Sequence, residues 1–336
     1  MNKLLVLLPL CALLFSCKKE NKDKSIEENK KYPISFNVNG FTQSSTPIAV
    51  NADSKEVFSD KKQNAVVTFY YTRLMFIVYD ASGKQVSRLE QTLLASNDKN
   101  LYRISNNTKK LVNTNNFGSI TDTLAAGQYT LVVVGCSPNA GLNRPRDGSV
   151  SPAYSDLYPT ADLAAATLYP SAAEYTEETF LYKGSLIVNN TMGAQTIKPT
   201  RITGKITLNI EDEIPANASY VLYNVNNNYG AIQLSNNALL SRVPDNLRTG
   251  YTLKAIEKGK PGFQVSWNIL NTTSPITAII AFYDVNNNLL VTKTIDNIVV
   301  KPNENTLVTG NVFTPNVGNF TINVNQDWGT GSTLRF

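Results

Sequence analysis

The sequence predicts an all-β chain built as two tandem β-sandwich domains, and three observations carry that expectation. Short apolar runs with a period of two recur along the chain, turn-forming clusters of Gly, Asn, Asp and Ser separate them, and helical periodicity is almost absent. A length of 336 residues exceeds one ordinary domain, so two domains are expected, each able to bury its own core.

The clearest strand lies mid-chain, in residues 198–215, KPTRITGKITLNIEDEIP. Ile202, Gly204, Ile206, Leu208 and Ile210 share one parity, while Thr203, Lys205, Thr207 and Asn209 fill the other. One face is then apolar and the other polar, as in a half-buried strand. Pro199 and Pro215 bound the pattern, because proline donates no ladder hydrogen bond. We read this stretch as the first strand of the second domain.

At the N-terminus, Lys3 precedes the run LLVLLPLCALLF. At about a dozen residues the run is too short to span a bilayer and matches a signal-peptide core. Leu14-Phe15-Ser16-Cys17 resembles a bacterial lipobox, which implies that Cys17 becomes the lipidated first residue of the mature chain. Residues 1–16 are therefore expected as signal peptide, and residues 17–31 as a charged tether too poor in apolar side chains to build a core. A chain acylated at Cys17 would be anchored to the outer membrane, since each buried methylene contributes about 0.8 kcal/mol.

The folded part opens with alternating Ile34, Phe36 and Val38. After a polar loop comes the run 65–79, whose final residues 74–79 are apolar at both parities, as in a strand covered on both faces. Asp80-Ala81-Ser82-Gly83 signals a turn, with residues 85–89 as the return strand. Residues 128–135 read as another core strand and 161–168 as one short helix. Residues 180–188 resume the strand pattern and close the first domain, taken as 32–190. In the second domain, 195–336, strands are expected at 219–225, 277–283 and 289–295, and at Phe320, Ile322 and Val324. FIVYDASGKQV (76–86) echoes IAFYDVNNNLLV (280–291), and each is followed by Thr-Leu-Val, at Thr130 and Thr306. Either a duplicated domain or two generic hairpins would produce that echo.

Composition argues against most catalytic chemistry. The chain has no histidine, so Ser-His-Asp and Cys-His pairs and histidine-containing zinc sites are excluded. Of three cysteines, Cys11 and Cys17 lie at the N-terminus, leaving Cys136 as a small buried hydrophobe without a disulfide partner in the folded part. Asp284, Asn286 and Asn288 open like a calcium loop, but Leu289 replaces the turn glycine and Ile295 the bidentate glutamate. Glu177-Glu178 and Glu211-Asp212-Glu213 read as solvated loop charge, and Trp267 and Trp328 as buried or edge residues before sugar platforms. The charge of +5 is spread along the chain, which argues against a nucleic-acid partner. No cofactor, metal or catalytic residue is expected, and the chain reads as a non-enzyme.

Residues 180–219, FLYKGSLIVNNTMGAQTIKPTRITGKITLNIEDEIPANAS, resemble the inter-domain crossing of the fimbrillins, Bacteroidetes fimbrial subunits made as lipoprotein precursors. The matching features are Arg201, the alternating Ile206, Leu208 and Ile210, and the turn Ile214-Pro215. LMFIVYDASGKQV and LAAGQYTLVVVG are similar to the first domain of anchor-type subunits, and FTINVNQDWGTGSTLRF to C-terminal strands of the same lipoproteins. The resemblance implies transthyretin-like sandwiches, a location at the outer membrane or on a fimbrium, a role in adhesion, and other fimbrial subunits as partners. It also implies subunit joining by strand addition, for which Phe320, Ile322 and Val324, or the tail residues Leu334 and Phe336, are the candidate donors. No arginine stands between Cys17 and Arg73, which favours an anchoring or accessory subunit that keeps its lipid over a stalk subunit released by an arginine-specific protease. The alternative from another class is a glycan-binding surface lipoprotein of an outer-membrane uptake system; a third, a histidine-free hydrolase, needs two carboxylates facing each other across a cleft.

Overall fold

The computed structural model describes residues 30–38, 73–92, 100–105, 108–136, 141–142, 161–170, 176–241, 246–314 and 320–325. The first stretch runs through β1 (Lys31–Val38), β2 (Arg73–Tyr79), β3 (Gln85–Thr92), β4 (Asn100–Ser105), β5 (Thr108–Thr114) and β6 (Ser119–Ala125). It continues through β7 (Gly127–Cys136), β8 (Gly141–Leu142), β9 (Thr167–Tyr169), β10 (Phe180–Val188), β11 (Gln195–Ile197) and β12 (Thr200–Arg201). Beyond the crossing lie β13 (Gly204–Ile210), β14 (Ala218–Asn226), β15 (Tyr229–Gln233), β16 (Leu239–Ser241) and β17 (Asn246–Thr252). The last are β18 (Phe263–Ile269), β19 (Ile276–Asp284), β20 (Leu289–Ile298), β21 (Asn305–Gly310) and β22 (Thr321–Asn325). The chain is all-β, with helix among the described residues confined to one short 3-10 turn at Ala255–Glu257.

Every residue of β2 is buried, as its double-parity pattern requires. β2 lies inside a seven-stranded sheet ordered β12-β10-β7-β2-β3-β4-β5. Leu74, Phe76, Val78, Leu131 and Val133 point to one face, where Ile34, Phe36 and Ile120 of the sheet β11-β1-β6 meet them. Met75, Ile77, Val132 and Val134 point to the other, against Leu168, Ile232 and Leu234 of the small sheet β16-β15-β9-β8. That second cover is shared, because β15 and β16 come from beyond the crossing. Ile232 pairs in register with Leu168, and the Leu234 amide donates to the Ala166 carbonyl at 2.9 Å. Lys183 of β10 fixes the loop after β15 by donating its Nζ to the carbonyls of Leu234 (2.9 Å) and Ser235 (2.5 Å). Residues 161–168, expected as a helix, instead form a turn leading into β9: pairing with β15 overrides the helical preference of the alanines.

The second unit sandwiches β18-β13-β21-β22 against β17-β14-β19-β20 around Ile206, Leu208, Val221, Val225, Ile280, Phe282 and Val308. The polar row of β13 differs from expectation. Thr207 and Asn209 are buried, because neighbouring strands offer polar partners on the same face: Thr207 bonds Ser266 (2.8 Å) and Asn305 (2.9 Å), and Asn209 accepts from Gln264 (3.3 Å).

The two units share one topology. The run β3-β2-β7-β10 corresponds to β17-β14-β19-β20, and β6-β1-β11 to β18-β13-β21. Directions agree as well, with β1 antiparallel to β6 and parallel to β11, and β13 antiparallel to β18 and parallel to β21. The sequence echo does not trace this correspondence, since it matches β2–β3 to β19–β20. It arises from a shared turn. Asp80 Oδ1 accepts the amides of Ser82 (2.9 Å) and Lys84 (3.0 Å); Asp284 Oδ1 accepts those of Asn286 and Asn288 (both 2.8 Å). The same position in each turn takes positive φ, at Gly83 (83°) and Asn287 (64°).

One ion cluster is fully enclosed at the junction-proximal side of the seven-stranded sheet. Arg73 donates to Glu90 Oε2 at 2.6 and 3.1 Å, and Arg88 donates to Oε1 at 2.5 and 2.8 Å. Burial alone would raise the Glu90 carboxyl, but the two guanidinium groups outweigh it and hold it below the usual range. Its contribution is therefore present above the ordinary value of about 4.3 and is lost as pH falls through the depressed folded value. Glu90→Ala removes the carboxylate that two buried guanidinium groups share and is expected to cost about 3–5 kcal/mol in urea unfolding at neutral pH. The variant should also lose part of the wild-type stability slope below about pH 4; an unchanged midpoint and slope would contradict this role.

Candidate functional site

The last described strand, β22, lies on the edge of the second unit, and the turn that leaves β21 is held at residues 312–314. The Asp212 carboxylate accepts the amides of Val312 (3.0 Å), Phe313 (2.5 Å) and Thr314 (2.8 Å), so it serves as a staple and not as solvated charge. Phe313 packs edge-on against Phe282, with ring centroids 4.8 Å apart. Phe320 then lies over Gly310, where a Cβ would come within 2.6 Å of the ring; only glycine leaves that space. From there β22 runs antiparallel to β21, with Thr321 opposite Thr309, Ile322 opposite Val308, Val324 opposite Thr306 and Asn325 opposite Asn305.

Of the candidate donor residues, Phe320 is partly buried against the core, and Ile322, in register with the buried Val308, is 38% exposed. The backbone of Val324 is paired within its own chain. Leu334, Phe336 and the lipidation candidate Cys17 lie outside the described residues, as does Trp328. Among the described residues no strand pairs with the outer edge of β22. β20 and β5 are edges of the same kind, but every residue of β5 is exposed and Lys109 and Lys110 guard it.

The junction between the units forms a second built region. Arg201 is 5% exposed, pairs with Glu178, donates to Asn303 Oδ1 and lies over the Phe180 ring at 4.8 Å. Glu178 is thus largely enclosed, unlike the solvated charge the sequence suggested, and burial raises its carboxyl despite Arg201. Burial likewise lowers the amine of nearby Lys205. The expected domain boundary falls just before β11 and β12, which pair with β1 and β10 of the first unit.

The remaining candidates resolve locally. Trp267 is 7% exposed and stacks on Tyr223 at 4.8 Å. Asp284 turns its carboxylate onto Asn286 and Asn288 of its own hairpin. Cys136 is fully buried, and burial pushes its thiol up to about 12, which leaves little thiolate at neutral pH. Sequence reasoning missed the Asp212 staple and the Glu178–Arg201 pair, because a cluster of acidic residues does not show what each carboxylate will meet across the fold. It also missed the stacked pair Tyr220–Tyr283 (4.8 Å, 4°), which only cross-strand register brings together.

No family model matches the chain, and no curated protein matches it. Solved structures do. A candidate polysaccharide-binding protein of Bacteroides thetaiotaomicron is similar at a TM-score of 0.48 and 12% identity, over 82% of this chain and 90% of that one. A candidate adhesin of the same species is similar at 0.44 and 11%, over 87% and 95%. The fimbrial anchor protein Mfa2 of Porphyromonas gingivalis is similar at 0.40 and 10%, over 83% and 91%.

Gly310→Val is expected to displace Phe320 and release β22 from β21. Hydrogen exchange would then show lost protection at residues 321–325, with β14 and β19 unchanged; retained protection at 321–325 would contradict the packing described.

Proposed function

We propose that this chain is a fimbrillin-like surface lipoprotein, tethered through Cys17, which anchors or accompanies a fimbria and joins partner subunits by strand addition. The observation that carries the reading is β22 itself. The two units share their core strand order, and β22 is an extra strand added to the edge of a sheet whose counterpart ends at β11 among the described residues. A fold that is extended by an added edge strand, and whose next edge carries no strand among the described residues, is suited to further strand addition.

Direction supports the same reading. Lys31 pairs with Ala125 at the end of the first unit away from the crossing, so the tether enters there. The Asp284–Asn288 turn lies at the opposite end of the second unit, near Ala218, and its flanks expose Val285 (79%) and Leu289 (53%). A chain held at Lys31 would present that end outward. The enclosed Trp267 fits this reading better than a sugar platform does, whereas the half-buried, parallel pair Tyr220–Tyr283 on the outer sheet face is the one feature favouring the glycan-binding alternative.

Shearing appendages from native cells and blotting the sheared, outer-membrane and soluble fractions tests the proposal. The protein is expected with fimbriae or at their membrane-bound base, and Cys17→Ser should move it to the soluble fraction. Wild-type protein found only as free lipoprotein with no appendage would overturn the fimbrial role and leave glycan binding as the reading to pursue.

A further inference from the structure

Each unit sets its first strand beside a later strand that runs the same way. β1 lies between β6 and β11, antiparallel to β6 over residues 31–37 and parallel to β11 from Phe36 opposite Gln195 to Val38 opposite Ile197. β13 lies between β18 and β21, antiparallel to β18 over residues 204–210 and parallel to β21 from Lys205 opposite Asn305 to Ile210 opposite Gly310. The chain therefore enters β13 at one end of the sheet and leaves β21 at the other. Tension along the chain pulls these two strands lengthwise in opposite directions. The evenly spaced bonds of a parallel ladder are then loaded together, whereas strands drawn apart from a shared end open one bond at a time. Side chains add to the resistance, because Thr207 bonds Ser266 of β18 (2.8 Å) and Asn305 of β21 (2.9 Å). A slip of β13 by one residue would also turn its polar row toward the core that Ile206, Leu208 and Ile210 occupy.

β22 is held differently. It runs back along β21, so that Asn325 pairs opposite Asn305 at the end of the sheet where β13 begins. Load arriving from beyond Asn325 folds β22 back on itself and breaks its pairs singly, starting at Asn325. Peeling reaches residues 312–314, whose amides the Asp212 carboxylate holds, and the load then passes to the end of β21.

We propose that the second unit is a two-stage tension element, in which β22 peels at low force and β13 with β21 forms a shear clamp that keeps the sandwich closed behind it. β1, set between β6 and β11, is the corresponding clamp on the N-terminal side of the first unit. The use of this device on a cell rests on the tethered reading above; its mechanics do not. Forced unfolding is governed by the unfolding rate under load, so the direction of pull decides which barrier is met.

Single-molecule force spectroscopy on the chain from Cys17 to Phe336 tests the device, with one handle on the Cys17 thiol and the other on a C-terminal tag. Cys136 is fully buried and does not compete for the handle. A reversible low-force step is expected before any high-force event. Moving the second handle to the exposed position Thr314→Cys bypasses β22, and should remove the low-force step while the high-force events remain. With Cys17→Ser and both handles at the far end of the clamp, on Glu211→Cys and Thr314→Cys, shear becomes unzipping, and the second unit should open with the high-force event lost. A wild-type trace without the early step would overturn the proposal. So would an early step that persists with the Thr314→Cys handle, or equal forces in the sheared and unzipped geometries. No fimbria takes part in these measurements, so their failure is distinct from failure of the fimbrial reading, which the fractionation of native cells decides.

Discussion

The seven-stranded sheet of the first unit has no solvent face along β2 and along Leu131–Cys136 of β7, and that constraint organises the molecule. A strand apolar at both parities must be covered twice, because each large apolar side chain left in water forgoes about 1.5–3 kcal/mol of burial. β1 and β6 supply one cover. The other combines β8 and β9 with the β15–β16 hairpin, which reaches back from the second unit to place Ile232 and Leu234 over Met75, Ile77 and Val134. The units are thus joined by shared core and not by a linker alone. Lys183 bonding the Leu234 carbonyl, and Arg201 spanning Glu178 and Asn303, add polar restraints at two further points.

Enclosing polar groups favours pairing them, and several of the buried ones are paired in clusters. Glu90 is divided between two arginines, one per oxygen. Asp212 is spent on three successive amides, and Thr207 is held between Ser266 and Asn305. Such groups fix register, since slipping one strand by a residue would leave buried charge or hydroxyl unpaired. The edge strands follow different rules. β5 stays exposed and lysine-guarded, whereas β22 carries the partly exposed Ile322 and no lysine.

Strands with an apolar face were legible in the sequence. The alternation of 202–210 located β13, and the double-parity run at 74–79 announced a sheet covered on both sides. What would cover it was not legible: Tyr229–Gln233 is five residues of mixed polarity, and only its pairing with β9 gives it a function. β5 carried no signal, because an edge strand exposed throughout needs no apolar row. The hairpin echo misled for a physical reason. An aspartate that accepts the amides two and four residues on, followed by a residue at positive φ, makes the same turn wherever a hairpin needs it, so likeness of turn is not likeness of strand. The true correspondence lies in strand order, which sequence alone does not display. At the candidate site, the alternation of Phe320, Ile322 and Val324 marked a strand, but not Gly310, whose missing side chain makes room for Phe320.

The shared cover of the first unit is tested most directly by native-state hydrogen exchange on the full chain carrying Leu234→Ala, a truncation expected to cost about 2–5 kcal/mol at a buried site. If the β15–β16 hairpin holds the second face of the sheet, exchange should quicken at the amides of β2 and β7, far away in sequence. Faster exchange confined to residues 229–241, with β2 and β7 protected as before, would contradict the account.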